Sequence, residues 1–251
     1  MPLMDQFPLL YHTHLSLHPE DLPLWLDLAA RCGAPILELG CGTGRVLTPL
    51  AEAGYGVYGM DKDAGMLAVL QRALRPDCKP WVRLLLGDFA AIPLKIGFNL
   101  ILMPCNTFST LSQDIRLIVL KQVKTCLAPG GMFAASLPNP ELMYHLPRRG
   151  EAQIEDVFFH PADGEPVQVS SQWERIADQL AVTWDYDHLL PDGRVERLST
   201  RVHHYLASRE EYGSEFNTAG LQLTALFGDY DRSEYTPRSP YLILLAQAAD
   251  F

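Results

Sequence analysis

Hydrophobic and polar positions follow two different periods along the first half of the chain. Apolar residues at helical spacing fill Leu22 to Cys32, behind an acidic start at Glu20 and Asp21. Ala34-Pro35 breaks that pattern, and the apolar run from Ile36 predicts a first strand. The spacing then predicts a helix over Gly44 to Ala53, closed by Gly54, and a strand over Tyr55 to Met60 that ends at Asp61. A helix over Ala64 to Leu74 follows, with strands at Trp81 to Leu86 and Phe98 to Met103. Ile115 to Leu127 reads as a long amphipathic helix, and Pro129-Gly130-Gly131 turns the chain into a fifth strand, Met132 to Leu137. Strands that alternate with helices call for a parallel sheet joined by right-handed crossovers.

After Pro138 the period changes. Asp156 to Phe159, Val167 to Ile176, Leu180 to Leu189 and Arg194 to Leu206 are β-rich and partly alternating. Asp163-Gly164 and Pro191-Asp192-Gly193 mark turns between them, so an antiparallel meander is expected. A helix over Ser208 to Ala219 then begins with Ser208 and Glu211 spaced as a capping box and ends at Gly220. Leu221 to Phe227 and Tyr241 to Ala246 complete the sheet. The expected fold is α/β: a doubly wound, seven-stranded, mostly parallel sheet with an antiparallel β lobe inserted after the fifth strand. Residues 1–140 and 207–251 would form the core, and residues 141–206 the lobe.

Composition narrows the function classes. The 251 residues are 48% hydrophobic and 20% charged, ordinary for one globular domain with a modest insertion. A net charge of −10 with no basic cluster disfavours a phosphate backbone as partner, so no nucleic acid is expected. No apolar run is long enough to span a membrane, and the N-terminus, with Asp5 early and no cationic region, does not read as a signal peptide. Five scattered cysteines without metal-ligand spacing imply neither a disulfide framework nor a metal site, and fit a reducing cytoplasm.

The chemistry concentrates at Ile36 to Arg45, ILELGCGTGR. Glycines at 40, 42 and 44 let bare backbone approach a ligand at the start of a helix. A dinucleotide fingerprint would place its third small residue where Arg45 stands, and Glu38 is a carboxylate where a diphosphate would be repelled. An ammonium or a sulfonium would be attracted. The run resembles motif I of class I S-adenosylmethionine (SAM)-dependent methyltransferases, and a Rossmann-like methyltransferase fold is what that resemblance implies.

Further segments match the same family. Gly59-Met60-Asp61 resembles its G-x-D element, which assigns Asp61 to the ribose hydroxyls, about 20 residues past the glycine run. Lys62 then departs from the usual apolar or small residue, and Met66 would either pack on the adenine or simply face the core. Leu86-Gly87-Asp88-Phe89 resembles the third element, with Asp88 on the adenine amino group and the Phe89 N–H on a ring nitrogen. Pro104-Cys105-Asn106-Thr107-Phe108 is similar to the loop that lines the methionine end and the acceptor site. The N-terminal segment covers the cofactor in similar enzymes, which makes Tyr11 a pocket residue. The implied cofactor site is therefore Tyr11, Glu38, Gly40, Cys41, Gly42, Thr43, Gly44, Arg45, Asp61, Lys62, Met66, Asp88, Phe89, Pro104 and Cys105, with SAM as cofactor.

For the acceptor, the implied residues are Asn106 and Phe108 with Trp173, Tyr186 and His203 from the lobe; core packing and a dimer contact are the competing explanations of the lobe aromatics. Candidate bases are Tyr11, His12, His14, His145, His203 and His204, none singled out as catalytic. Consecutive residues on a strand face opposite sides, so at most one of His203 and His204 looks into the site. The loop Pro104-Cys105-Asn106-Thr107-Phe108-Ser109 also resembles the nucleophile loop of cytosine carbon-5 DNA methyltransferases, but their other motifs are absent and the chain is too short for a target-recognition domain. The expected function is SAM-dependent methylation of a nitrogen or oxygen of a small molecule, with room for a homodimer through the lobe. The G-D-Y-D turn Gly228-Asp229-Tyr230-Asp231 resembles that of amino-sugar N-methyltransferases, which favours nitrogen. A nicotinamide-dependent oxidoreductase and a non-catalytic SAM-binding module are the alternatives.

Overall fold

A computed structural model describes residues 6–249. Asp5, on which the leader reading partly rests, lies outside the described residues. The chain runs α1 (Phe7–Leu15), α2 (Leu22–Cys32), β1 (Ile36–Leu39), α3 (Leu47–Glu52), β2 (Val57–Asp61), α4 (Ala64–Ala73), β3 (Val82–Leu86), β4 (Phe98–Met103), α5 (Gln113–Cys126) and β5 (Leu127–Pro138). It continues through α6 (Pro140–His145), β6 (Gln153–Phe159), β7 (Pro166–Ile176), β8 (Gln179–Leu189), β9 (Val195–Tyr205), α7 (Arg209–Ala219), β10 (Leu221–Phe227) and β11 (Tyr241–Ala248).

One sheet has seven strands in the order β10-β11-β5-β4-β1-β2-β3, and only β11 runs against its neighbours. Helices cover both faces, so every residue of β1 is buried, as a parallel central strand requires. On one face Trp25, Leu28, Leu47, Leu50, Leu67 and Leu70 pack from α2, α3 and α4. On the other, Val119, Leu120, Val123 and Phe216 from α5 and α7 meet Phe133 and Phe108. The doubly wound reading therefore holds. At α7 the capping box is formed: Ser208 Oγ accepts from Glu211 N at 3.2 Å and Glu211 Oε2 accepts from Ser208 N at 2.6 Å.

A second sheet, β6-β7-β8-β9, is fully antiparallel and follows β5, as expected for the lobe. Its inner face packs Phe158, Val167, Val169, Tyr186 and Leu198 against Leu10 and Phe7 of α1. The N-terminal helix thus bridges lobe and core. Helix α3 starts three residues later than its apolar pattern suggests, because Gly44 has φ +86° and cannot be helical. No helix among the described residues is long and apolar enough to cross a membrane.

Candidate active site

The glycine run is a turn between β1 and α3 with left-handed backbone at Gly40 (φ +76°), Gly42 (+51°) and Gly44 (+86°). Each glycine answers a different neighbour. A Cβ on Gly40 would come within 2.7 Å of Thr107 Cγ2 and one on Gly44 would collide with Leu70, whereas one on Gly42 would meet nothing within 4 Å. Gly42 is therefore the point where backbone faces open space. Its N–H donates to Asp61 Oδ2 at 2.8 Å, and Asp63 N–H donates to Asp61 Oδ1 at 2.9 Å, which aims the carboxylate at the end of β2 towards the turn.

Glu38 is buried beneath the turn, and its Oε2 has no hydrogen-bond partner. Burial raises its pKa well above the carboxylate range, Arg45 works the other way, and Asp21 and Asp61 reinforce the rise. Thr43 is buried and pairs with His12 Nδ1 at 3.1 Å. Cys41 packs against Gly59, and burial pushes its thiol up. Lys62 is exposed, Met66 is buried on α4, and Asp88 is exposed, accepting from Ala90 N–H at 2.9 Å. The Phe89 ring lies beside Gly40.

Arg45 ties three segments together. Its two terminal nitrogens donate to the two oxygens of Asp21, each at 2.5 Å, and one reaches Cys105 Sγ at 2.7 Å. Trp25 Nε1 donates to the same carboxylate at 2.7 Å. Neither Asp21 nor Trp25 is prominent in the sequence; an acid ahead of an amphipathic helix reads as a helix start. Burial raises Cys105 to about 11 despite Arg45, so it is a thiol near neutral pH and not a ready nucleophile. Cys105 and Asn106 both have left-handed backbone (φ +57° and +59°), and Asn106 Oδ1 is buried without a partner. Non-glycine residues adopt that conformation at a cost of about 1–3 kcal/mol, and such strain concentrates at functional sites.

Between α1, the loop after β4, the inner face of β8 and β9, and the C-terminal turn lies a cleft of about 790 Å³. Tyr11, Cys105, Asn106 and Tyr186 line it, joined by Trp184, His204, Tyr230, Tyr241 and the carboxylates Glu20, Asp21 and Asp229. Three residues expected at the acceptor site are elsewhere. Phe108 is wholly buried in the core against Phe133, Tyr212 and Phe216. Trp173 shares the inner face of the lobe but lies under Gly150, outside the cleft. His203 is exposed on the outer face of β9, and its neighbour His204 points inward. Strand parity decides between the two histidines, and the register of β9 on β8 sets that parity.

His204 Nδ1 lies 2.8 Å from Ser109 Oγ, whose own proton goes to the Asn106 carbonyl at 2.7 Å. The imidazole therefore donates from Nδ1 and keeps its lone pair on Nε2. Burial lowers its pKa to about 4, so it is neutral at physiological pH. His14, on α1, is held by Tyr186 OH at 3.1 Å and Asp156 at 3.2 Å, and burial lowers it as well.

A family profile described as a methyltransferase domain matches residues 36–131, the stretch from β1 through the turn before the main part of β5. With the fold and the turn described above, the match marks the chain as a SAM-dependent methyltransferase. A cypemycin N-terminal methyltransferase from a Streptomyces species is 26% identical over 216 residues, covering 86% of this chain and 83% of that protein. The CcbJ methyltransferase of Streptomyces caelestis superposes with a TM-score of 0.77 at 28% identity, covering 92% and 90% of the two chains. The amino pentose methyltransferase CalS10 of Micromonospora echinaspora, solved with SAM bound, shares the fold at a TM-score of 0.71 and 20% identity, covering 95% of each chain.

The residues of this methyltransferase fit SAM chemically. An orphaned buried carboxylate oxygen on Glu38 suits a cation, Gly42 leaves bare backbone facing open space, and Asp61 offers a carboxylate at the same turn.

Proposed function

We propose that this enzyme methylates an amine nitrogen of a small-molecule acceptor by in-line displacement, and that the lobe, residues 141–206, covers the acceptor. In this reading Glu38 attracts the positive charge of the cofactor, the turn from Gly40 to Arg45 admits its backbone, and Asp61 accepts its ribose hydroxyls. Asp88 and Phe89 take the adenine edge, while Pro104 and Cys105 flank the methionine end. When bound, SAM supplies an electrophilic methyl group on a sulfonium.

The protonation of the cleft histidines and tyrosine carries the preference for nitrogen. A hydroxyl acceptor needs a base active near neutral pH, whereas an amine needs only to be unprotonated. Of the candidate bases read from the sequence, Tyr11, His14 and His204 line the cleft. Burial pushes the Tyr11 phenol up and both imidazoles down, so none is tuned to remove a hydroxyl proton. His204 Nε2 instead offers a neutral hydrogen-bond acceptor that orients an N–H. Aromatic rings beside Glu20 and Asp229 favour a basic amine, which reaches the methyl group as the free base after losing its proton to solvent. Two of the similar proteins are described as acting on nitrogen-bearing acceptors, an N-terminus and an amino pentose, and this supports the same choice.

Matched amino and hydroxy analogues, sugar and peptide, incubated with SAM and followed by S-adenosylhomocysteine release, test the reading. Amines should turn over. Turnover of hydroxy analogues alone refutes the nitrogen assignment, and release with neither refutes the small-molecule amine class.

A further inference from the structure

A cluster on the wall of the cleft has no part in the chemistry above. His14 lies in the last turn of α1 and His18 three residues past the end of that helix, where the chain turns back so that both imidazoles reach one carboxylate. His14 Nε2 and His18 Nε2 both aim at Asp156 Oδ2, at 3.2 Å and 2.8 Å. Asp156 comes from β6, on the lobe, and the three ligand atoms lie within 4.8 Å of one another. We propose that His14, His18 and Asp156 form a binding site for a divalent first-row transition ion, with zinc the best match, that clamps the N-terminal helix to the lobe beside the acceptor cleft.

Three features favour an ion over a simple ion pair. Two imidazoles and one carboxylate are a donor set for zinc and its neighbours, with room for a further ligand. His14 is almost wholly buried, and its second ring nitrogen is held by the Tyr186 hydroxyl, the outer partner that fixes the orientation of a metal-bound imidazole. Both histidines line the cleft, so the open side of the site faces the space assigned to the acceptor. The other two-histidine cluster, His160, Asp163 and His188, is a poorer candidate. Its rings stack at 4.4 Å and 14°, which sends their lone pairs side by side, and His160 Nδ1 already accepts from Ala162 N–H at 3.3 Å.

The same distances would be satisfied without metal by two imidazole N–H groups on one carboxylate, and titration separates the two. The full chain, freed of metal with a chelator, is titrated with Zn²⁺ by calorimetry and with Co²⁺ by visible absorption. The expected result is a single saturable site with ligand-field bands of Co²⁺, weakened about tenfold or more in His18→Ala and in Asp156→Asn and unchanged in His188→Ala. His18 is half-exposed, so its replacement spares the fold, and a thermal melt of each variant checks this. Absence of saturable binding, or binding that persists in both variants, or binding lost only in His188→Ala, overturns the proposal. SAM binding by the metal-free protein is measured alongside, so failure of the metal site is distinct from failure of the methyltransferase reading.

Discussion

Alanine at Gly42 and alanine at Gly44 separate ligand exclusion from damage to the core. Both positions have left-handed backbone, φ +51° and +86°, which costs a residue with a Cβ about 1–2 kcal/mol. Beyond that shared cost the two sites diverge. At Gly44 the new methyl collides with Leu70 and comes within 2.9 Å of Thr48 Oγ1, adding roughly 1–3 kcal/mol of overpacking. Gly44→Ala should therefore lower the melting temperature of the ligand-free enzyme, at about 2–4 °C per kcal/mol for a chain of this size. At Gly42 no protein atom lies within 4 Å of the added carbon, so the stability loss stops at the backbone term. That carbon occupies the space assigned to SAM. An overlap of about 1–3 kcal/mol weakens SAM roughly 5- to 150-fold. Differential scanning fluorimetry of the apo variants and calorimetric titration with SAM give the two numbers independently. Gly42→Ala protein that binds SAM as tightly as wild type would refute the placement of the cofactor over the turn.

Other outcomes follow from charges and pairs. The raised pKa of Glu38 leaves the free enzyme protonated into a range where ordinary carboxylates are ionised, and a cationic ligand favours the ionised form. SAM affinity should fall on acidification by up to about tenfold per pH unit below that pKa, and Glu38→Gln should flatten the profile; an unchanged slope in the variant removes Glu38 from the binding site. Because a raised acid pKa destabilises the fold above its unfolded value, Glu38→Gln should also melt higher than wild type when ligand-free. His204 has the opposite sign: with a folded pKa of about 4, its proton goes to the unfolded chain first. Stability should be lost as pH falls from about 6.5 towards 4, by about 3 kcal/mol in all, and urea titrations of His204→Asn across that range should lack this component. Arg116 and Glu215 form a buried pair at 2.6 Å and 2.8 Å. Arg116→Met should cost about 3–5 kcal/mol in urea unfolding, and the double variant Arg116→Met with Glu215→Leu should recover most of it; equal losses in both would show that the charges are not coupled.

The sequence carried the sheet almost intact, because each core element is apolar along its own length. β1 and β4 are apolar apart from Glu38 and Asn99, β10 alternates through Gln222 and Thr224, and α2 has a clear helical stripe, so their bounds match the pattern. Helix α1 was not expected. Its partners are Leu198, Phe158 and Tyr186 of the lobe, more than a hundred residues away, and it shows little stripe of its own. The site divides along the same line. Motif positions, from Glu38 to Arg45 and at Asp61, lie on local turns and are legible. The acceptor wall is made of long-range choices. Phe108 follows the loop yet turns into the core, and His204 replaces His203 through strand register. The pair His14 and His18 acquires meaning only when β6 brings Asp156 across.

The balance of charge at the first turn explains why the same sheet that holds dinucleotides elsewhere should here hold a sulfonium. Arg45 stands where a diphosphate-binding turn keeps a small residue, and an arginine alone would attract phosphate. Its guanidinium is already engaged by both oxygens of Asp21, which leaves no spare donor edge of full charge. Glu38 and Asp61 then add two further carboxylates around that one cation. Ionised together, these groups are net negative, and burial of Glu38 strengthens their effect on anything placed beside it. A diphosphate brought to Gly42 would face the Asp61 carboxylate and would hold the buried Glu38 in its protonated form, with no attraction to gain. A ligand with a sulfonium and an ammonium would favour the ionised form of Glu38, whose Oε2 has no partner in the apo enzyme, so the discrimination lies in the protein's own unsatisfied carboxyl group rather than in the shape of the glycine loop alone.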